Sequence, residues 1–104
     1  MAATLGRDYI DVKIDTDRHK NGAAVAARLR GDREGGIPWT VITDEYGKEL
    51  VTSDGPQGNC GCPVDPHECE WFMTMLRRTA RSLTAEQLAA VEAELEEFAQ
   101  GYRR

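Results

Sequence analysis

The sequence lacks three features that would place it in a specialised class. No apolar run approaches the ~20 residues of a membrane span, and residues 1–10 lack the apolar stretch of a secretory signal peptide. Basic residues do not predominate, because 13 Lys and Arg stand against 18 Asp and Glu. The resulting net charge of -5 argues against a nucleic-acid partner. These absences predict neither a membrane nor a nucleic-acid partner, and a cytoplasmic location by default.

What is present fits one globular domain. The chain has 104 residues, of which 40% are hydrophobic and 30% charged, and it shows no internal repeat. The three cysteines all lie between positions 60 and 69. Because an odd number does not fit a closed disulfide framework, this cluster raises the question of metal or redox chemistry.

The first half of the chain predicts one strand and one helix. Residues 9–15 place Ile10, Val12 and Ile14 on one face and charged side chains on the other, which is typical of a strand. The Ala-rich residues 21–30 predict a short helix after a polar loop.

A β-hairpin is predicted next. Residues 37–43 and 48–53 have strand composition, and the intervening turn ends in Gly47, which can adopt the positive φ that a hairpin turn needs. Residues 54–65 hold three Gly and two Pro and predict an irregular loop.

Two helices follow, each with a capping box and an apolar face. The boxes are Asp65 with Glu68 and Thr84 with Gln87. The first face comprises Cys69, Phe72, Met73 and Leu76. The second comprises Leu88, Val91, Leu95, Phe98 and Tyr102, within an amphipathic helix over 83–102. The predicted order is therefore β-α-β-β-α-α, an α/β fold.

Three stretches carry a resemblance to a known family. They are YIDVKIDTDRH (9–19), GGIPWTVITDEYGKEL (35–50) and PHECEWFMTML (66–76). In this order they resemble the C-terminal half of the thioredoxin family: a strand and its loop, a cis-proline loop with an antiparallel hairpin, and the helix behind it. The resemblance covers residues 8–80. It implies a truncated thioredoxin-like domain with a small mixed sheet, to which the C-terminal helix is an addition.

The resemblance implies a substrate groove at Ile37, Pro38 and Trp39. Pro38 matches the family's cis-proline, and the backbone of Ile37 would pair with an extended substrate. Trp39 would lie beside this groove. A protein or peptide partner is therefore expected here.

The family's Cys-x-x-Cys pair is missing. The nearest pattern, Cys60-Gly61-Cys62, is one residue shorter and follows the hairpin. Thiol–disulfide exchange needs a thiolate, and the family lowers that thiol's pKa at a helix N-terminus, whereas these residues lie in a Gly/Pro loop. The resemblance thus favours a non-catalytic binding or structural module, or a truncated redox protein. The alternative is an oxidoreductase that uses Cys60 or Cys62.

A metal site is a further alternative. Cys60, Cys62, His67 and Cys69 form C-x-C-x4-H-x-C, and such ligands suit Zn²⁺ or Cu(I) in a small metal-binding protein. However, Cys69 falls on an apolar helix face, where free Cys acts as a small hydrophobe, and His67 lies about 200° away around the helix. Free thiols at 60 and 62, with no cofactor, are the simplest expectation; a strained Cys60–Cys62 disulfide is another alternative.

The missing half also bears on assembly. In the family it supplies the central strand, so the predicted strands at 9–15 and 37–43 have no natural neighbour between them. They must pair directly, borrow a strand from a second copy, or leave an edge exposed. A homodimer through the exposed sheet edge is therefore expected.

Overall fold

In the computed structural model, residues 1–103 are described, apart from the side chain of Ala2, and they form four helices and four short strands. The helices are α1 (Ala2–Leu5), α2 (Gly22–Arg30), α3 (Pro66–Thr79) and α4 (Ala85–Gln100). The strands are β1 (Val41–Thr43), β2 (Glu49–Thr52), β3 (Asp54–Gly55) and β4 (Gly58–Asn59). The α/β class is thereby confirmed. None of the helices among residues 1–103 is long and apolar enough to cross a membrane.

The predicted hairpin is confirmed as β1 and β2, although both strands are shorter than predicted. They pair antiparallel, with Ile42 opposite Val51 and an irregularity directly after Ile42. The turn is closed by Asp44, whose carboxylate accepts hydrogen bonds from the N–H groups of Tyr46 and Lys48. The Asp44 N–H also donates to the Lys48 carbonyl at 2.9 Å, so the backbone and the side chain of Asp44 close the turn together.

A second, smaller hairpin lies within the predicted irregular loop 54–65. Strand β3 pairs with β4 antiparallel, with Asp54 opposite Asn59. Gly55 is needed here, because a Cβ at this position would lie 2.7 Å from Cγ of Trp71. The absent side chain lets the indole ring of α3 lie directly on the hairpin.

The predicted first strand at 9–15 is wrong. These residues form neither helix nor strand, and Ile10 and Val12 are 92% and 74% exposed. The order is therefore α-α-β-β-β-β-α-α, and the described residues form two antiparallel two-stranded sheets where one mixed sheet was predicted. Alternation indicates a face suited to a sheet, but a strand also needs a partner, and neither hairpin pairs with these residues.

Both capping boxes form helix starts as predicted. Glu68 accepts hydrogen bonds from the N–H groups of Val64 and Asp65 at the start of α3. At α4, Thr84 Oγ1 accepts from the Gln87 N–H at 3.1 Å and Gln87 Oε1 accepts from the Thr84 N–H at 2.9 Å. Side-chain oxygens thereby satisfy backbone donors that have no partner inside the helix.

The apolar face of α4 departs from the prediction at its C-terminal end. Ala99 is fully buried, whereas Phe98 and Tyr102 are 54% and 65% exposed and stack with their ring centroids 4.9 Å apart. The buried face follows the four-residue step from Leu95 to Ala99. At this point Ala99 packs in the apolar cluster that α4 shares with α3.

Helix α3 lies between α4 and β2 and contributes to two apolar clusters. The first comprises Cys69, Met73, Leu76, Val91, Leu95 and Ala99, all buried. The second comprises Val51, Cys60 and Met75. Phe72 packs against both clusters. The predicted apolar face of α3 is therefore confirmed, and a second face of the same helix holds the hairpins.

The N-terminal residues are fixed to the connection between α3 and α4 by Asp8. Its carboxylate accepts hydrogen bonds from the hydroxyl of Ser82 and from the N–H groups of Arg81, Ser82 and Leu83. These donors, the Ser82 hydroxyl first, lower the pKa of Asp8 to about 2. The Tyr9 hydroxyl hydrogen-bonds Thr79 Oγ1 at 2.7 Å, so the chain is held as far as residue 9.

We expect Asp8 to make stability depend on pH in the acid range. Because its folded-state pKa is depressed, the stabilisation is present above pH ~4 and is lost as pH falls towards about 2. Asp8→Asn should lower the urea midpoint at pH 7 and reduce its dependence on pH between 4 and 2. Asp32→Asn, at an exposed carboxylate with no hydrogen bond or ion pair among residues 1–103, should behave like the wild type. Identical acid profiles for wild type and Asp8→Asn would contradict this role.

Candidate functional site

The cis-proline loop, defined here as residues 36–39, presents one apolar residue to solvent. The Ile37–Pro38 bond is cis, as the resemblance implied. The Ile37 side chain is 87% exposed, and its backbone N–H and C=O form no hydrogen bond among residues 1–103. The loop therefore offers an apolar side chain together with a free donor and a free acceptor.

Asn59, the last residue of β4, holds this loop on both sides of Ile37. Its Nδ2 donates to the carbonyl oxygens of Gly36 and Pro38, both at 2.9 Å. Its Oδ1 accepts a hydrogen bond from the Gly61 N–H at 3.1 Å. Sequence reasoning missed Asn59, because an Asn after Gly in a loop usually indicates only a turn residue.

Trp39, the last residue of the loop, is half-buried. The guanidinium carbons of Arg30 and Arg33 each lie 5.2 Å from its ring centroid, and its Nε1 donates to Asp54 at 2.9 Å. Arg33 also makes two hydrogen bonds to Glu49, of 2.7 and 3.1 Å, which lower the pKa of Glu49. Trp39 is therefore fixed by cations and a carboxylate.

The cysteine pair adjoins the cis-proline loop. A Cβ at Gly61 would lie 3.8 Å from the carbonyl oxygen of Pro38, although more than twenty residues separate them in sequence. Cys60 is buried at 4% exposure, Cys62 is exposed, and both are free thiols. The structure thus places Gly61, which stands between the two candidate catalytic cysteines, against the cis-proline loop.

The environment of Cys60 opposes thiolate formation. Burial raises the pKa of its thiol, and the negative charge of Glu68 raises it further. Cys60 also packs in the apolar cluster with Val51 and Met75. A thiol in this setting stays protonated at neutral pH and is a poor nucleophile.

The structure does not bring the four candidate metal ligands together. Cys69 lies in the α3–α4 cluster, where burial raises the pKa of its thiol and the Arg103 guanidinium lies 3.7 Å from its sulfur. Among residues 1–103, the only three Asp, Glu, His or Cys side chains with ligand atoms within 4.8 Å of one another are Asp65, His67 and Glu68. That group contains no cysteine, and the Glu68 carboxylate already accepts two backbone hydrogen bonds of the α3 cap.

We expect Asn59 to stabilise the cis-proline loop measurably. Asn59→Ala removes three hydrogen bonds and should lower the free energy of unfolding by about 1–3 kcal/mol in urea titrations at pH 7. Gln57→Ala, in the adjacent β3–β4 turn and without a hydrogen bond among the described residues, should change it by less than ~0.5 kcal/mol. Equal stabilities for both variants would show that Asn59 does not hold the loop.

Comparisons with protein-family models, with curated proteins and with solved structures found no match in any of the three. The thioredoxin-like relationship therefore stays a prediction from the sequence stretches described above.

Proposed function

We propose that the chain is a thioredoxin-like binding module without a catalytic cysteine pair, in which the cis-proline loop binds an extended polypeptide segment. The observation that carries this proposal is the state of Ile37. Its side chain is 87% exposed, and its backbone donor and acceptor are unused among residues 1–103. Strand addition by a peptide requires these two features together, because main-chain bonds supply affinity and side-chain contacts supply specificity.

The contacts around the loop indicate that peptide binding would cost the loop little conformational entropy. Asn59 fixes the carbonyls of Gly36 and Pro38, whereas the N–H and C=O of Ile37 between them make no hydrogen bond among residues 1–103. Arg30 donates a further hydrogen bond to Gly36 at 3.3 Å. A loop that is already held in place loses less conformational entropy on binding than a mobile one.

The state of the cysteines supports a role without catalysis. Of the two thiols beside the loop, Cys60 is buried, and this burial raises the pKa of its thiol. The exposed thiol, Cys62, lacks a second accessible cysteine among residues 1–103 with which to complete an exchange, because Cys69 is buried in the α3–α4 cluster. Binding through Ile37 requires neither thiol.

Reduced, carboxymethylated α-lactalbumin is a suitable probe, because it is an unfolded polypeptide without free thiols. We expect Ile37→Glu to weaken its binding at least tenfold in isothermal titration, since a charge would replace the apolar contact. Tyr46→Glu introduces the same charge at a position of equal exposure, 88%, in the β1–β2 turn, and should bind like the wild type. No binding by the wild type, or equal binding by Ile37→Glu, would overturn the proposal.

One observation favours a second function, a thiol–disulfide oxidoreductase. The Cys60-Gly61-Cys62 segment lies against Pro38, so a substrate bound at the loop would pass close to the exposed thiol of Cys62. An attack on a substrate disulfide would begin at Cys62, and Cys60 would have to leave its buried position to resolve the mixed disulfide.

Insulin reduction separates the two functions. A non-catalytic module should not accelerate insulin reduction by dithiothreitol, and Cys62→Ser should have no effect. Acceleration by the wild type that is lost in both Cys60→Ser and Cys62→Ser would favour the oxidoreductase. Acceleration that survives in Cys62→Ser would point to a contaminant, because the two remaining thiols, Cys60 and Cys69, are buried.

A further inference from the structure

The free segment, defined here as residues 10–14, is held at both ends and unpaired between them. Tyr9 is bound to Thr79, and Asp15 donates its N–H to His19 Nδ1 at 3.0 Å. Between these points no backbone N–H or C=O makes a hydrogen bond among the described residues. Ile10 and Val12 are among the most exposed large apolar side chains of the chain. The segment has the alternation of a strand but no partner strand.

Its sequence is complementary to itself in the antiparallel direction. In Ile-Asp-Val-Lys-Ile, the first and last residues are identical and the two charges are opposite. If two copies pair around Val12, Ile10 faces Ile14 of the second copy, and Asp11 faces Lys13 of the second copy. Two apolar pairs, a central Val–Val pair and two opposite-charge pairs result, and each class stabilises an antiparallel ladder.

The alternative directions and edges fit less well. Parallel pairing in register would place Asp11 beside Asp11 and Lys13 beside Lys13, which is repulsive. No strand among residues 1–103 offers both a cation and an anion to match Asp11 and Lys13. Strands β1 and β4 carry no charge, β2 carries only Glu49, and β3 carries only Asp54. Charge complementarity therefore selects the same segment of a second copy as the partner.

We propose that the chain forms a two-fold symmetric dimer in which residues 10–14 of two copies pair as antiparallel strands. Such an interface uses the same surface on both copies, as closed dimers commonly do. It uses the free segment and not the cis-proline loop, so it is independent of the proposed function. Because five residues per copy bury less area than a standard interface, the dimer is weak, with a Kd on the order of 10–100 μM.

The test is sedimentation equilibrium of the full chain from about 5 to 500 μM, a span chosen to bracket that Kd. A reducing buffer prevents a disulfide through the exposed thiol of Cys62. The wild type should shift from monomer to dimer across this range. Lys13→Asp and Asp11→Lys should each raise the Kd at least tenfold. In each variant, positions 11 and 13 carry the same charge, so like charges face each other across the paired segments. Both positions are exposed, so the variants should fold, which circular dichroism would check.

Mixing the two variants gives the decisive result. An equimolar mixture of Lys13→Asp and Asp11→Lys should form a heterodimer of about wild-type affinity, because each charge then faces its opposite. The double variant Asp11→Lys/Lys13→Asp should form a homodimer again. A wild type that stays monomeric to 500 μM, a wild-type dimer unaffected by either single variant, or a mixture that does not associate would overturn the proposal.

Discussion

The two apolar faces of α3 are the constraint on which the rest of the structure depends. One face packs Cys69, Met73 and Leu76 against α4, and the other brings Met75 against β2 and Cys60. Each hairpin alone has two strands, and an isolated two-stranded sheet is at best marginally stable in water. The hairpins therefore persist because a helix covers them, and the helix is itself covered on its other side by α4.

Hydrogen bonds then connect α3 and the hairpins to the candidate site. Trp71 of α3 donates its Nε1–H to the Thr52 carbonyl at 3.0 Å, and its ring lies on Gly55. Ser53, which is 1% exposed, exchanges hydrogen bonds with Thr40 and accepts one from the Cys60 N–H. A single buried serine thus joins Thr40, directly after the cis-proline loop, to Cys60 at the start of the cysteine segment.

Local signals predicted the parts of the fold that depend on neighbours in sequence. Capping boxes, the Gly47 turn and the apolar face of α3 each involve residues within a few positions of one another, so the sequence shows them directly. The prediction of a strand at 9–15 was wrong, because a strand depends on a neighbouring strand that alternation within the segment does not reveal. Strands β3 and β4 were missed because Gly and Pro composition indicates a loop even where two residues pair.

The site was predictable only in part for the same reason. Ile37, Pro38 and Trp39 were identified from the resemblance. Asn59, Ser53 and the contact between Gly61 and Pro38 join residues far apart in the chain, and single polar or glycine residues carry no pattern that predicts such partners. The burial of Cys60, which opposes thiolate chemistry, likewise results from packing against α3.

Exposed apolar strands are a hazard in water, because their free backbone groups recruit other chains without limit. In the proposed dimer, Asp11 and Lys13 of the free segment would restrict this recruitment to one geometry. Stacking many copies parallel and in register, as in many fibrils, would place like charges over one another at every step, whereas antiparallel pairing places each charge opposite its counterpart. In the proposed dimer, the same two side chains therefore both oppose open-ended stacking and select one direction of pairing.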